Sequence, residues 1–267
     1  DAAEQAKPKD GTPEPAADDA TLMNQIVDFY HERLLKTPAA LDYLKGRGLY
    51  DEDALRVFRI GFADRTLGLR LPYANRKEGA EIRTRLQKLG ILRESGHEHF
   101  NGSIVLPIFT ASGEVGEMYG RKITRKLNEG SCRHLYLPGP HAGIWNPEAL
   151  NSPELILCEA PLDALTFHVH GFKNVTFIYG TEGFTDELFE AILSNKIRKI
   201  WLAYDADDAG NRAATRDASR LMAHGIECFR IRFPHGMDAN EYACKVTPAT
   251  KSLQTVHHAA EWLGGGV

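Results

Sequence analysis

The sequence predicts an α/β protein: a mixed α+β first part followed by a Rossmann-like domain on a mostly parallel sheet. Three observations carry this. After Asn151, apolar runs of strand length alternate with helical stretches in the order β-α-β-α-β-α-β, and Gly171, Gly180 and Gly225 fall where turns are needed. Before it, Ser103-Ile-Val-Leu-Pro-Ile-Phe109 is a β run that the Ala111-Ser-Gly113 turn returns through 115–123, as in a hairpin. Finally, two of the later runs, Glu154-Leu-Ile-Leu-Cys-Glu159 and Trp201-Leu-Ala-Tyr-Asp205, end in acid.

Taken in order, residues 1–20 are rich in Ala, Pro, Asp and Glu, have no hydrophobic period and read as a disordered linker. The sequence begins without Met, as a fragment whose upstream neighbour was removed does. From Thr21, Leu22, Ile26, Phe29, Tyr30 and Leu34 recur at helical spacing; a second helix at 38–44 is stopped by Gly46-Arg-Gly48, and 52–59 adds a turn or two. The stretch 79–89 is amphipathic, with Ile82, Leu86 and Leu89 inward. Pro107 puts its strand at an edge or a bulge. The later strands are expected at 155–158, 175–179, 200–204 and 227–233, with helices at 162–170, 186–194 and 209–224 between them. The tail from Thr250 to Trp262 reads as one more helix. The chain thus divides into a linker (1–20), a basic α+β subdomain (21–150), a sheet domain (151–246) and a C-terminal helix (247–267).

The 267 residues are enough for one large core or two modest ones. A hydrophobic share of 43% and a charged share of 25% are ordinary for a globular protein. No apolar run approaches the ~20 residues that span a bilayer, and no signal peptide is visible. Cys132, Cys158, Cys228 and Cys244 lie far apart without a C-x-x-C pair, which argues against structural zinc and for reduced thiols in a cytoplasm. The net charge of −4 is that of residues 1–20, leaving the rest formally neutral. Locally, 64–136 carries thirteen Lys/Arg against eight Asp/Glu, a surface along which a phosphate polymer can lie. An inert, solvated helical face gives the same count.

In an open α/β sheet, side chains at the carboxyl ends of neighbouring strands converge on one crevice. Glu159, Asp205 and Asp207 would meet there, and without matching lysines they would repel one another unless a divalent cation lay among them. Oxygen-only donors suit Mg²⁺ or Mn²⁺ rather than zinc. Asp163 follows Glu159 by one helical turn, as a ligand or as a solvated first-turn acid. Asp238-Ala-Asn-Glu241 brings a third acidic element to the same rim. The competing reading is helix capping, for which Asp208 is a good candidate.

A second constellation is basic. Arg121, Lys122, Arg125, Lys126, Arg133 and His134 crowd a short span interleaved with Tyr119 and Tyr136. Guanidinium groups hold phosphates bidentately and tyrosines stack on bases; an exposed soluble loop is the alternative. Arg212, Arg216 and Arg220 form a row read first as a solvated face. Other chemistries lack their patterns: there is no nucleophile elbow around Ser112 or Ser152, no H-E-x-x-H and no G-x-x-x-x-G-K-[ST]. His168, His170, His257 and His258 read as surface or packing residues.

With these residues placed, the chain resembles the catalytic core of bacterial DnaG-type DNA primases. Glu159-Ala-Pro-Leu-Asp163 and Asp205-Ala-Asp207-Asp-Ala-Gly210 resemble the two signatures of the TOPRIM domain, and Asp238-Ala-Asn-Glu241 its third acidic element. Upstream, Tyr43-Leu-Lys-Gly-Arg47-Gly-Leu49, Ile60-Gly-Phe62, Val105-Leu-Pro-Ile108, the segment 116–121 and Tyr136-Leu-Pro138 follow the order of the primase N-terminal subdomain. The resemblance covers about 25–245. It implies template-directed synthesis of short RNA primers on single-stranded DNA from nucleoside triphosphates, with two or more Mg²⁺ or Mn²⁺ ions. By the same resemblance Glu159, Asp205 and Asp207 bind metal, Asp238 assists, and Arg121 and Arg133 contact template or nucleotide phosphate. It also implies a cytoplasmic, nucleoid-associated protein, a replicative helicase as partner, and a zinc-binding module upstream of the acidic linker. Three departures stand out: no basic residue near His141-Ala-Gly143, Asn240 where aspartate is common, and a final helical subdomain cut to one helix, as in a phage or mobile-element variant. The rival functions are a metal-dependent nuclease using the same acids and a non-catalytic single-strand-binding scaffold.

Overall fold

The structure, a computed structural model, describes residues 17–124, 126–127 and 130–266. In its first half the chain forms α1 (Asp19–Leu35), α2 (Pro38–Gly46), α3 (Glu52–Val57), β1 (Gly61–Ala63), α4 (Lys77–Lys88), β2 (Ser103–Phe109), β3 (Val115–Lys122) and β4 (His134–Tyr136). The second half gives β5 (Glu154–Cys158), α5 (Pro161–Val169), β6 (Val175–Phe177), α6 (Asp186–Ser194), β7 (Lys199–Ala203) and α7 (Asp208–Met222). It closes with β8 (Glu227–Arg230), α8 (Ala239–Lys245), α9 (Ala249–His258) and β9 (Glu261–Gly264). Contacts divide the chain into two compact units, and no single cut separates them: Asp42–Ala54 and Ile108–Ala111 belong with His141–Val267.

In the first unit, α1 buries Leu22, Ile26, Phe29, Tyr30 and Leu34, the stripe its 3.6-residue period announces. Asp18 caps it, accepting the Thr21 N–H at 2.7 Å. Asp18 and Asp19 therefore belong to the fold rather than to the linker expected up to residue 20; residues 1–16 lie outside the described residues. The helix backbone runs directly against β1. A Cβ on Gly61 would stand 2.6 Å from Tyr30 Cβ, so only glycine lets the two elements approach this closely.

The first sheet has the order β1-β2-β3-β4, with β1 antiparallel to β2 and β3 antiparallel to β4. Pro107 is therefore on an interior strand, against expectation. The register explains how it is tolerated: β1 ends opposite Val105, two residues short of Pro107, so no ladder bond is asked of the proline on that side.

The second sheet has the order β6-β5-β7-β8-β9. Its first four strands are parallel, and Ile156 pairs with Trp201, Leu157 with Leu202 and Cys158 with Ala203. Helices cover both faces, as right-handed β-α-β crossovers require. On one face Leu155, Leu157, Ile200 and Leu202 meet Phe189 and Ile192 of α6 and Ala214 and Leu221 of α7. On the other Trp201 stacks on Phe229 at 5.3 Å and meets His257 of α9 at 4.7 Å. The tail corrects the expectation of a single helix over 247–267: α9 stops at His258 and the chain returns as β9, antiparallel to β8. An edge strand in a sheet with open hydrogen-bonding groups won over local helix preference. The expected strand 227–233 likewise stops at Arg230.

Candidate functional site

The register of the second unit builds the acidic rim. Cys158 and Ala203 are partners at the ends of β5 and β7, so Glu159 and the Tyr204-Asp205 pair leave neighbouring strands at the same carboxyl edge. Glu159 Oε2 accepts the Asp205 backbone N–H at 3.2 Å. A second clasp draws in the loop before α8: the Gly236 N–H donates to the Ala206 carbonyl at 3.0 Å, and the Ala206 N–H to Met237 at 3.3 Å. Asp238 thereby joins the rim. Asp163, on the first turn of α5, is buried and accepts the Asn240 N–H at 3.1 Å. Its reading as a solvated acid is overturned, because α5 packs against α8.

The carboxylates sense one another. Burial, then the charges of Glu159, Asp238 and Asp207, push Asp205 up to about 7, against the pull of Arg230. Burial, followed by Asp238 and Asp205, holds Asp163 well above the usual carboxylate range. Burial also raises Glu159, with Asp207 adding to it and the Asp205 amide opposing. Capping claims part of the set: Asp207, not Asp208, caps α7 through the Gly210 N–H at 2.7 Å, and Asp238 caps α8 through the Glu241 N–H at 2.6 Å. An acid on a strand-to-helix turn thus serves the helix with one of its two oxygens.

Among the described residues no three His, Cys, Asp or Glu side chains converge as a ready-made chelate. The expected convergence of Glu159, Asp205 and Asp207 as one ligand set is thus not met; Mg²⁺ is usually held by one or two carboxylates, with water and substrate phosphate completing its shell. The all-oxygen, mutually repelling donor set fits such an ion. The cation beside these acids is Arg230, which lies 2% exposed at the end of β8. Burial lowers its pKa to about 10, so it stays charged at neutral pH. Sequence reading missed it. The signal was a charged residue interrupting Phe229 and Ile231, in a strand type normally buried on both faces.

The basic cluster, in the first unit, is more tied down than expected. Tyr119 is 1% exposed, its ring 5.3 Å from Tyr136 and its hydroxyl 2.9 Å from His134 Nδ1, so it has no face to offer a base. Arg121 contacts the His134 ring, and Arg133 donates to the Thr124 carbonyl at 2.9 Å. Lys122 is buried and donates to Asn101 Oδ1 at 2.9 Å. With Arg65 and Lys126 it lines a cleft of about 530 Å³, whose walls do not include Arg121 or Arg133. Arg125 lies outside the described residues. The arginine row on α7 is no free face: Arg216 pairs with Glu182 at 2.8 Å and Arg220 with Asp186 at 2.6 Å. Cys132, Cys158, Cys228 and Cys244 are all free. Among the described residues no helix is long and apolar enough to cross a membrane.

Residues 156–243 match the family described as Toprim-like, and 29–144 match the DNA primase catalytic core, N-terminal domain. The DNA primase of Aquifex aeolicus is 27% identical over 231 residues, covering 82% of this chain and 45% of the relative; that of Helicobacter pylori is 27% identical over 223 residues, covering 77% and 37%. The chain thus spans less than half the length of these curated relatives. Among solved structures, the zinc-binding and RNA polymerase domains of the Aquifex aeolicus primase superpose with a TM-score of 0.72 at 24% identity, over 92% of this chain and 62% of that one. A DnaG primase catalytic domain bound to ssDNA gives 0.73 at 21% identity, over 92% and 82%. Fold and rim together define a Toprim-domain protein. The two matches, in this order along one chain, are those of a DnaG-type primase catalytic core, which this chain resembles in sequence and in fold.

Proposed function

We propose that this chain is the catalytic core of a DNA primase, copying single-stranded DNA into short RNA primers for replication by metal-dependent nucleotidyl transfer. The observation that carries the reading is the meeting of Glu159 and Asp205 at the ends of adjacent parallel strands, in a chain with both primase-family matches. The reaction joins the 3′-oxygen of the primer to the α-phosphorus of a nucleoside triphosphate. It breaks the bond from that phosphorus to the bridging oxygen and releases pyrophosphate. Bound Mg²⁺ or Mn²⁺ supplies activation of the 3′-hydroxyl and neutralises charge on the phosphoryl group. Glu159, Asp205 and Asp207 are the assigned metal-binding acids, with Asp163 beneath and Asp238 beside them. Arg121, Lys122, Arg125 and Arg133 are assigned to phosphates of template or incoming nucleotide, charge-assisted contacts that need no base sequence. The basic subdomain (21–150) carries the template and the 151–246 domain the metal.

For the whole protein we infer a zinc-binding module upstream, a replicative helicase partner and a cytoplasmic, nucleoid-associated setting. A zinc-binding domain is named in the Aquifex aeolicus neighbour, of which this chain covers 62%.

The test is primer synthesis on a panel of single-stranded templates with Mg²⁺ and with Mn²⁺. The chain is expected to make primers, and Asp205→Ala and Glu159→Gln to abolish synthesis with an unchanged far-UV spectrum. Synthesis by Asp205→Ala at the full rate removes the assignment. Cleavage of labelled DNA without nucleotides points instead to a nuclease, and gel-shift binding without product to a scaffold.

A further inference from the structure

The last residue of β8 is an arginine whose terminal N–H groups reach the end of β7, the residue after it and α7. Its Nε is buried without a partner among the described residues. Arg230 Nη1 donates to the carbonyls of Leu202 at 3.0 Å, Tyr204 at 2.9 Å and Ile231 at 3.1 Å. Nη2 donates to the Asp205 carbonyl at 2.9 Å and to Asn211 Oδ1 at 3.2 Å. One side chain therefore fastens the end of β7, the acidic turn and the first turn of α7. Among the described residues no carboxylate forms an ion pair with it, although burying an unpaired charge is costly. An apolar residue would fill this strand position at lower cost. What the arginine adds is a rigid fork that reads several carbonyls at once, which neither a hydrophobe nor a lysine reproduces.

We propose that Arg230 is a positioning residue for the metal-binding acids: by holding the Asp205 carbonyl and the turn around it, it presents the Asp205 and Glu159 carboxylates together to a divalent cation. The inference rests on the metal-binding reading of this rim. Its consequence has a sign that separates it from other roles. A cationic neighbour acting only through its charge repels Mn²⁺, so its removal tightens binding. A residue acting only through packing changes stability and leaves the affinity of folded molecules alone. A positioning residue weakens binding when removed, despite the lost repulsion; supports behind metal ligands typically contribute about 10–100-fold in affinity.

The experiment is direct Mn²⁺ binding, followed by the EPR signal of free Mn²⁺, for the full chain and for Arg230→Met, Arg230→Lys and Asp205→Asn, with thermal unfolding giving the folded fraction. The unsubstituted chain is expected to bind, Asp205→Asn to lose the site, and Arg230→Met to bind at least about tenfold more weakly. Arg230→Lys, which keeps the charge and loses the fork, is expected to fall between. Equal or tighter binding by folded Arg230→Met overturns the inference and leaves the metal reading intact. No binding by the unsubstituted chain, or full binding by Asp205→Asn, overturns the metal reading and the inference with it. If Arg230→Met does not fold, Arg230→Lys decides: weaker binding supports the role, and unchanged binding overturns it.

Discussion

The side-chain amide of Asn240 donates to the Arg47 carbonyl at 3.0 Å and to the Thr166 hydroxyl at 2.9 Å, while its oxygen accepts from Arg47 Nε at 2.7 Å. Its backbone N–H serves Asp163. Asparagine therefore stands where aspartate is common because two of these bonds need a donor, which a carboxylate lacks. Asn240→Asp keeps the Arg47 Nε partner but removes the donor to the Arg47 carbonyl and to the buried Thr166 hydroxyl, and sets another charge beside a buried acid. A loss of about 1–3 kcal/mol in urea unfolding is expected; an unchanged midpoint would show the amide donors to be dispensable. The departure noted in the sequence thus has a structural cause, visible only once residues 47, 166 and 240 share one interior.

Among the elements, α7 depends most on how its first turn meets β7. Gly210 is its third residue, and a Cβ there would stand 2.4 Å from the Asp205 carbonyl oxygen. Helix propensity alone favours alanine over glycine by about 1 kcal/mol, so the glycine answers a packing demand. Gly210→Ala is expected to displace the Asp205 backbone, lower stability by about 1–3 kcal/mol and weaken Mn²⁺ binding. Unchanged stability and binding would mean that the turn can give way. Most elements were legible, since the longer strands and helices carry their own hydrophobic period, whereas the short β1, β4, α8 and β9 were not foreseen. Element fates were less so. The tail after α9 became a strand because β8 offered an edge, and Pro107 entered an interior strand because β1 is short.

For the whole molecule, the gathered acids couple folding to pH. Asp205 titrates at about 7 in the fold against 3.8 for the unperturbed group. The folded state therefore holds this proton more tightly, and the stability this group contributes is fully present below about pH 4 and is lost as pH rises to about 7. Burial raises Glu159 in the same direction. Because Asp205 is partly exposed, the loss is on the order of 1–2 kcal/mol after solvent screening. In EDTA, the stability of the unsubstituted chain relative to Asp205→Asn is expected to fall between pH 4 and pH 8. Added Mg²⁺ restores it at pH 8, since a ligand of the folded state stabilises by mass action. A difference that stays flat with pH would show that Asp205 is an ordinary solvated acid.

Read alone, the sequence determined the alternation of elements and the acids at the strand ends, because periodicity and spacing are local properties of the chain; the family came from the resemblance of its motifs. It named Glu159 and Asp205, since each ends an apolar run. Tertiary structure decided the rest. It made Asp207 rather than Asp208 the cap, buried Asp163, withdrew Tyr119 from solvent, and placed Arg230 behind the turn that carries Asp205. Each of these depends on which distant residue lies within about 3 Å, and hydrogen bonds and burial at that range arise only from packing.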